Sequence, residues 1–301
     1  MAKLKMEQLL RCCPKKLGYQ THRWTLIDLL QACKFIRLSS LSGLYRVLKR
    51  LGISLQRAKS WIRSPDPNYA AKLAFMKACM KQSHEQRVEL LFLDEFTYSI
   101  HATINRAYAP HTLQPKAHRA VGYEKTWRVL ATMNGLDGQV FAIQRAHIRV
   151  VTFIHFLKAL VEHHSSTQRL FIVMDNWPVH FHPDVVDALE PQLNPLPLHL
   201  PASWRRLQPS GKYSTWNLPV QLVPLPTYAS WLNPIEKLWK WLKKDIIHHH
   251  QCQLHFDQLK ELVGDWLSQF DHSSNELLKF TGLLKDNGIY ADVLLNKNGT
   301  V

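Results

Sequence analysis

Long apolar runs and organised cysteines are both missing from this sequence. The longest uninterrupted apolar stretches, such as Leu170 to Met174, are far shorter than the roughly 20 residues that a membrane span needs. The first residues, Met-Ala-Lys-Leu-Lys, lead into no signal-peptide core, and the five cysteines contain no Cys-x-x-Cys spacing. We therefore expect a cytoplasmic protein with no membrane partner, no disulfide framework and no zinc knuckle. Because 46% of its 301 residues are hydrophobic, intrinsic disorder is excluded.

Acidic residues are scarce in the first third of the chain. Residues 1–90 hold 18 Lys and Arg but only 5 Asp and Glu, whereas residues 91–301 hold 20 and 18. Nearly all of the formal net charge of +15 therefore lies in the first segment. A polyanion is the expected partner, because each Lys or Arg set against a phosphate releases condensed counterions. A basic surface that serves solubility alone is the weaker explanation, since the asymmetry is large.

Two short helices are predicted within this basic segment, at about 25–33 and 41–51. Thr25 and Ser40 are suitable N-caps, and Gly52 ends the second helix. Four leucines of the second helix recur at helical spacing and are predicted to face inward: Leu41, Leu44, Leu48 and Leu51. The other face projects Tyr45, Arg46, Lys49 and Arg50. This pattern fits a helix-turn-helix whose second helix enters the major groove, while periodicity alone equally allows a small bundle with solvated charges.

The segment after Gly52 is predicted to be a wing or an extended arm along the DNA backbone. Three basic residues surround Trp61 there: Arg57, Lys59 and Arg63. Ser64-Pro65-Asp66-Pro67 breaks regular structure and is predicted to be a linker. An alanine-rich helix at about 68–82 then leads into a second domain.

Two apolar runs of the second domain each end at an aspartate. Val88–Leu93 precedes Asp94 and Leu170–Met174 precedes Asp175, and both runs are predicted to be buried strands. An Asp at the end of a central strand is held rigidly yet opens onto solvent, which suits a metal ligand. A single such Asp more often merely begins a loop, so the pairing of the two carries the argument.

The remaining elements predict an α/β fold with a mixed sheet flanked by helices. Asn134-Gly135-Leu136-Asp137 is a hairpin signal between two strand-forming segments. Helices are predicted at about 151–163 and 183–189, and a further strand at 220–225.

A third carboxylate lies at the start of a predicted long helix. Asn233 is a natural N-cap, Pro234 fits the first helical position, and Glu236 lies third, where it would close a capping box. Helix capping is one explanation for Glu236. The other is a functional role, because a side chain at the start of a helix that lies on the sheet can also reach the two aspartates. Beyond it, three lysines form a basic edge predicted to contact DNA: Lys237, Lys240 and Lys244.

Three carboxylates around one opening repel each other unless a cation neutralises them. Mg²⁺ takes oxygen ligands and keeps substrate phosphates, and two ions about 3.5–4 Å apart clamp the attacking and leaving oxygens of a phosphoryl displacement. Zinc is disfavoured, because His180 and His182 have no third His or Cys at a zinc-ligand spacing. An acidic magnesium site joined to DNA-binding residues predicts phosphodiester chemistry.

Three segments resemble the signatures of DDE transposases of the mariner-type superfamily, in its bacterial insertion-sequence branch. They are Leu93-Asp94-Glu95, then Val173-Met174-Asp175-Asn176 followed by His180, and Asn233-Pro234-Ile235-Glu236-Lys237-Leu238-Trp239. Residues 14–63 are similar to that branch's winged helix-turn-helix. The resemblance implies a ribonuclease-H-like domain that binds Mg²⁺ or Mn²⁺, as two ions, through Asp94, Asp175 and Glu236. It places Asn176, His180 and Asn233 in support of these ligands or in contact with DNA.

The resemblance also implies an enzyme that binds terminal inverted repeats, hydrolyses the DNA and joins the 3′ hydroxyl to target DNA, as a homodimer on the bacterial nucleoid. Two other functions stay open: a catalytically silent DNA-binding regulator derived from a transposase, and a related nuclease that does not join strands. We divide the chain into a helix-turn-helix domain (1–64), a linker and connecting helix (65–88), the catalytic domain (89–268) and a C-terminal helix and tail (269–301).

The sequence departs from the family pattern in two respects. About 88 residues precede the first catalytic strand, enough for one helix-turn-helix unit where the family usually carries two. The interval between Asp175 and Glu236 is long, and six prolines at 191–220 exclude a regular helix from this insertion. Its aromatic and basic residues are a candidate surface for stacking and phosphate contact, with a functionless loop as the alternative: Trp204, Arg205, Arg206, Lys212, Tyr213 and Trp216.

Overall fold

The computed structural model describes residues 2–56, 63–85, 87–117, 124–192, 202–204, 206–250, 255–286 and 288–294. Its contacts divide the chain into two compact units, Met1–Trp61 and Ile62–Val301. None of the helices in this described part combines the length and apolarity needed to cross a bilayer.

The described part of the first unit contains three α-helices, α1 (Ala2–Arg11), α2 (Leu26–Ala32) and α3 (Leu41–Arg50), and two short 3-10 helices, Pro14–Leu17 and Lys34–Ile36. Both predicted N-caps are confirmed, since the Thr25 hydroxyl accepts from the Asp28 amide and the Ser40 hydroxyl from the Gly43 amide. The helices enclose a small core of Met6, Leu29, Cys33, Leu44 and Leu48. α1 was not predicted.

The exposed face of α3 carries the predicted stripe of Tyr45, Arg46, Lys49 and Arg50. Leu44 and Leu48 face inward as expected, but Leu41 does not, because it lies in the first turn and is 42% exposed. Arg57 and Lys59, predicted to belong to a wing, lie outside the described residues, and Arg63 is exposed.

Within the residues that the structure describes, the second unit contains five strands, β1 (Val88–Ser99), β2 (Thr126–Asn134), β3 (Val140–Arg145), β4 (Arg169–Met174) and β5 (Val220–Pro224). They form one sheet in the order β3-β2-β1-β4-β5. β1–β2 and β2–β3 are antiparallel, whereas β1–β4 and β4–β5 are parallel. The predicted mixed sheet is therefore confirmed.

The helices of this unit are α4 (Tyr69–Glu85), α5 (Val150–His163), α6 (Pro183–Asp187), α7 (Glu236–Leu242), α8 (Phe256–Ser268), α9 (Asn275–Thr281) and α10 (Ala291–Leu294). Successive residues of β1 point to opposite faces of the sheet. Leu91 and Leu93 join a core with α5 and α6, and Phe92 joins a core with α4 and α7 to α10. The segment predicted as a C-terminal helix and tail therefore belongs to the core that contains Phe92, and Leu277 and Tyr290 are buried in it.

Asp94 lies within β1 and not at its end, which corrects the prediction. β1 pairs with β4 only as far as Phe92, but it continues along β2 to Ser99. Asp94 therefore lies where β1 extends past its parallel neighbour, and Asp175 directly follows the end of that neighbour. Both aspartates reach the same edge of the sheet, although only one of them ends a strand.

The described residues of the Pro-rich insertion contain no helix, as its prolines predict. The ring of Trp216 lies 5.3 Å from that of His155 and 5.0 Å from the Lys158 ammonium of α5, and the Tyr213 ring lies 5.0 Å from Trp216. These two aromatic side chains, predicted as a stacking surface for DNA, instead pack against the protein. Arg206 and Lys212 are exposed, and Arg205 lies outside the described residues.

A pH-dependent contact at the other end of β1 gives a stability prediction. The Glu89 carboxylate accepts from Asn134 and Thr167 and pairs with the His164 ring at 3.0 Å. The His164 hydrogen bond lowers the pKa of Glu89 although burial opposes this. The contact therefore stabilises the folded protein at pH values above the ordinary pKa of a glutamate, and this stabilisation is lost as the pH falls through the lowered pKa of Glu89.

We expect Glu89→Gln to lower the free energy of unfolding by about 1–2 kcal/mol at pH 6 and by less at pH 3. Urea denaturation at the two pH values measures this. The exposed Glu261→Gln is the control and should change stability by under about 0.5 kcal/mol at both. An equal loss for Glu89→Gln at both pH values would contradict the prediction.

Candidate active site at the sheet edge

A cavity of about 500 Å³ lies at the sheet edge beyond β4 and β5. The three carboxylates predicted to converge all line it: Asp94 from β1, Asp175 after β4, and Glu236 at the start of α7. The other lining residues are Asn176, Trp177, Asn233 and residues 225–230. Side chains from three separate elements thus meet at one opening.

The carboxylate of Asp94 is oriented by α7. Its Oδ2 accepts a hydrogen bond of 2.9 Å from Nε1 of Trp239. The Trp239 ring stacks on Phe96, with ring centroids 5.4 Å apart and an angle of 14° between planes. Residues 94 and 96 share one face of β1 because side chains alternate along a strand, so one tryptophan contacts both.

Asn233 does not cap α7, which overturns the predicted capping box. Its Nδ2 donates instead to the Leu93 carbonyl at 2.9 Å, in the protein interior. The helix begins without a side-chain cap, and its first hydrogen bonds join backbone groups three residues apart. The Asn233 amide therefore fastens the chain before α7 to β1, directly beside Asp94. The capping explanation for Glu236 loses its support.

Burial and, to a smaller extent, the neighbouring carboxylates raise the pKa values of two of the three acids. Burial and the Glu236 carboxylate raise the pKa of Asp94 to about 8, although the Trp239 hydrogen bond opposes the rise. Burial also raises the pKa of Glu236, with Lys240 and Lys243 opposing and Asp175 adding to the increase. Anionic carboxylates are unfavourable together in this cavity, and a divalent cation would remove the repulsion.

His180 bridges two carboxylates below the cavity. It is fully buried, with Nε2 2.7 Å from Oε1 of Glu95 and Nδ1 3.2 Å from Oδ1 of Asp175. Burial disfavours the charged ring, but the two carboxylates raise the pKa of His180 to about 9. Desolvation by the surrounding protein acts to raise the pKa of Asp175, yet His180 and the Trp177 amide hold that pKa below its ordinary value.

Glu95, Asp175 and His180 offer ligand atoms within 4.8 Å of one another, the spacing of a metal site. The His180 ring contacts both carboxylates, so it also orients Asp175 toward the cavity. Sequence reasoning missed Glu95. Strand alternation would have found it, since the residue after Asp94 must point to the opposite face, where Phe181 of the His180 turn is buried.

Two amide oxygens beside the carboxylates are unpaired. Oδ1 of Asn176 and Oδ1 of Asn233 are buried without a hydrogen-bond partner, while Nδ2 of Asn176 donates to the Leu225 carbonyl at 2.8 Å. Both residues line the cavity. Three carboxylates and two unpaired amide oxygens therefore line one cavity, and oxygen atoms of these kinds are the ligands that Mg²⁺ and Mn²⁺ prefer.

The predicted basic edge of α7 is not continuous. α7 ends at Leu242 and a π-helical turn, Lys243–Ile247, follows it, so Lys244 leaves the line of the earlier lysines. The Lys237 ammonium donates to the Thr281 carbonyl at the end of α9, so one of its three donors is used within the protein. Lys240 and Lys244 are exposed, and Lys243, which was not predicted, is close enough to lower the pKa of Glu236.

Comparison with known proteins gives matches over most of the chain. A family model described as DDE superfamily endonuclease matches residues 89–260. The "Insertion element IS630 uncharacterized 39 kDa protein" of Shigella sonnei is 22% identical over 266 residues, which cover 85% of this chain and 68% of that protein.

Solved structures share the fold. The Mos1 mariner paired end complex with Mn matches 97% of this chain and 76% of its own, with a TM-score of 0.59 and 11% identity. The Mos1 transposase paired-end complex with left transposon end matches 97% and 78%, with a TM-score of 0.58 and 12% identity.

Proposed function

This chain belongs to the DDE superfamily of endonucleases. From that premise we propose that it is a transposase of the IS630 and mariner type, which binds the ends of a mobile element and performs metal-dependent hydrolysis and strand transfer into target DNA. One observation carries the proposal: Asp94, Asp175 and Glu236, from three elements, line one cavity. Their mutual repulsion and the unpaired amide oxygens beside them support a site built for divalent cations.

We assign Asp94, Asp175 and Glu236 as ligands of Mg²⁺ or Mn²⁺, in a pair of ions. When bound, such ions activate the attacking oxygen and stabilise the leaving oxygen of a phosphodiester. The other residues position this set: Trp239 orients Asp94 and His180 orients Asp175. Lys240 and Lys243 place positive charge beside Glu236, where the DNA backbone would approach.

We assign DNA recognition to the first unit, residues 1–61, with α3 in the major groove of the terminal repeat. The exposed basic stripe on α3 and the charge excess of residues 1–90 support this assignment. The partners are then double-stranded DNA at the element ends and at the target, with two copies of the chain holding two ends. The paired-end names of the Mos1 complexes favour such a dimer.

We expect the double variant Arg46→Ala/Lys49→Ala to bind element-end DNA more weakly, by about 1–3 kcal/mol for each side chain that hydrogen-bonds a base edge. Each side chain that instead neutralises a phosphate should, once removed, reduce the slope of log K against log salt by about 0.9. Fluorescence anisotropy over a range of salt concentrations measures both. Lys3→Ala, which removes an exposed charge from α1, is the control. Unchanged affinity and slope in the double variant would remove α3 from the interface.

The function itself is tested with purified protein, Mg²⁺, labelled DNA carrying the inverted repeats that flank the coding sequence, and an acceptor DNA that contains TA, the target typical of the family that the sequence resembles. Joined products support the proposal. Nicks without joining would identify a nuclease, and bound but uncut DNA would identify a catalytically silent regulator.

A further inference from the structure

Tyr228 is an exposed aromatic residue in a strained turn of the cavity wall. Its φ is +55°, a left-handed conformation that bulky residues rarely adopt. Its side chain is 76% exposed, although its neighbours Leu225 and Ala229 are buried. Among the described residues no ring or hydrogen-bond contact involves it. A turn that needs a positive φ is best served by Gly or Asn, so tertiary structure alone does not explain a tyrosine here.

The turn is held by the segment before α4. The Thr227 amide donates to Oδ2 of Asp66 at 2.9 Å, and the Thr227 carbonyl accepts from the Ser64 hydroxyl at 2.6 Å. Asp66 also pairs with the Lys72 ammonium at 2.8 Å, and these two side chains are only 5% and 6% exposed. Both backbone groups of the residue before Tyr228 are thus fixed by a buried ion pair and a hydroxyl.

We propose that Tyr228 is a stacking platform for the unpaired base of the terminal nucleotide of the element end at the three carboxylates, held in place by Ser64 and Asp66; this inference rests on the proposed function. A phosphate at the three carboxylates places its own base against the wall of the same cavity, which Tyr228 lines. Every base offers a flat face to an aromatic ring, so stacking requires no particular sequence. Trp177 also lines the cavity, but its ring packs edge-on against His180 at 5.4 Å, which leaves Tyr228 as the available aromatic group.

The experiment uses the full-length protein, Mg²⁺ and a pre-cut element-end duplex whose terminal nucleotide is unpaired 2-aminopurine, without target DNA. Tyr228→Asn removes the ring but suits the positive φ, so the variant should fold with a Tm equal to or above that of the wild type. We expect it to lose the quenching of 2-aminopurine and to bind this end about 5- to 150-fold more weakly. Tyr228→Phe should behave as the wild type, as should Tyr108→Ala, which removes a fully exposed tyrosine outside the cavity lining.

A blunt duplex separates stacking from general binding, because Tyr228→Asn should bind it as the wild type does. Ser64→Ala should weaken binding of the unpaired end in the wild type but not in the Tyr228→Asn background, since both act through one platform. If the wild type cuts DNA but Tyr228→Asn shows the same quenching and the same affinity as the wild type, the inference is wrong and the proposed function is unaffected. A wild type that neither cuts nor joins DNA would overturn the proposed function, and the inference with it.

Discussion

Replacing Asp175 by asparagine is expected to reduce Mg²⁺-dependent DNA cleavage by about 10³-fold or more, equivalent to about 4 kcal/mol of transition-state stabilisation. The change keeps the size of the side chain and one oxygen for the Trp177 amide, but it removes the negative charge that opposes a cation. Asp175 is also the one of the three carboxylates whose pKa lies below its ordinary value, so its negative charge is the most favoured of the three.

Single-turnover cleavage measures the loss, and anisotropy with the same DNA should show an affinity within about twofold of wild type, because α3 is unchanged. Electron paramagnetic resonance of Mn²⁺ should show weaker ion binding by the variant. Asp265→Asn, on the exposed face of α8, is the matched control and should cut normally. Retention of more than a tenth of the wild-type rate would exclude Asp175 as a metal ligand.

Replacing His180 by alanine is expected to damage both stability and activity. It leaves the largely buried Glu95 without a counter-charge and frees the Asp175 carboxylate. Breaking a buried ion pair from one side costs about 3–5 kcal/mol, which corresponds to a fall in Tm of roughly 6–20 °C in a unit of this size. Cleavage by the folded fraction should fall about 10- to 100-fold, the usual effect of losing a residue that orients a metal ligand.

A second variant separates the two effects. Glu95→Gln/His180→Ala removes the unpaired charge, so we expect it to recover part of the Tm while its activity stays low. Calorimetry and single-turnover rates report the two quantities, and the exposed His272→Ala is the control. If the single variant retained both wild-type Tm and wild-type rate, His180 would have no positioning role.

Local signals were enough to predict elements in both units. Thr25 and Ser40 cap helices because their hydroxyls reach amides three residues away, a contact that the sequence itself specifies. Asp175 follows a strand whose residues form one apolar run. The approach of Asp94 to Asp175 was predictable because parallel strands, such as β1 and β4, present their carboxyl ends at one edge of the sheet.

Non-local pairing decided what the sequence did not predict. β1 continues past Asp94 because β2 pairs with it there. Asn233 gives up the expected cap because its amide meets the Leu93 carbonyl, just past the last residue of β1 that pairs with β4. Trp216 contacts α5, and no local pattern in the Pro-rich insertion predicts this contact. Each of these depends on a partner far away in sequence.

The central position of β1, between an antiparallel hairpin on one side and two later parallel strands on the other, restricts when the enzyme can act. Asp94 is synthesised early, but β4, β5 and α7 leave the ribosome much later, and parallel pairing over such separations is slow to form. A nascent chain that has emerged only as far as β3 carries the basic first unit and Asp94 but lacks Asp175 and Glu236. Under the proposed function, such a chain would be able to bind DNA before it could cleave it, because the three carboxylates are complete only after translation has passed the start of α7.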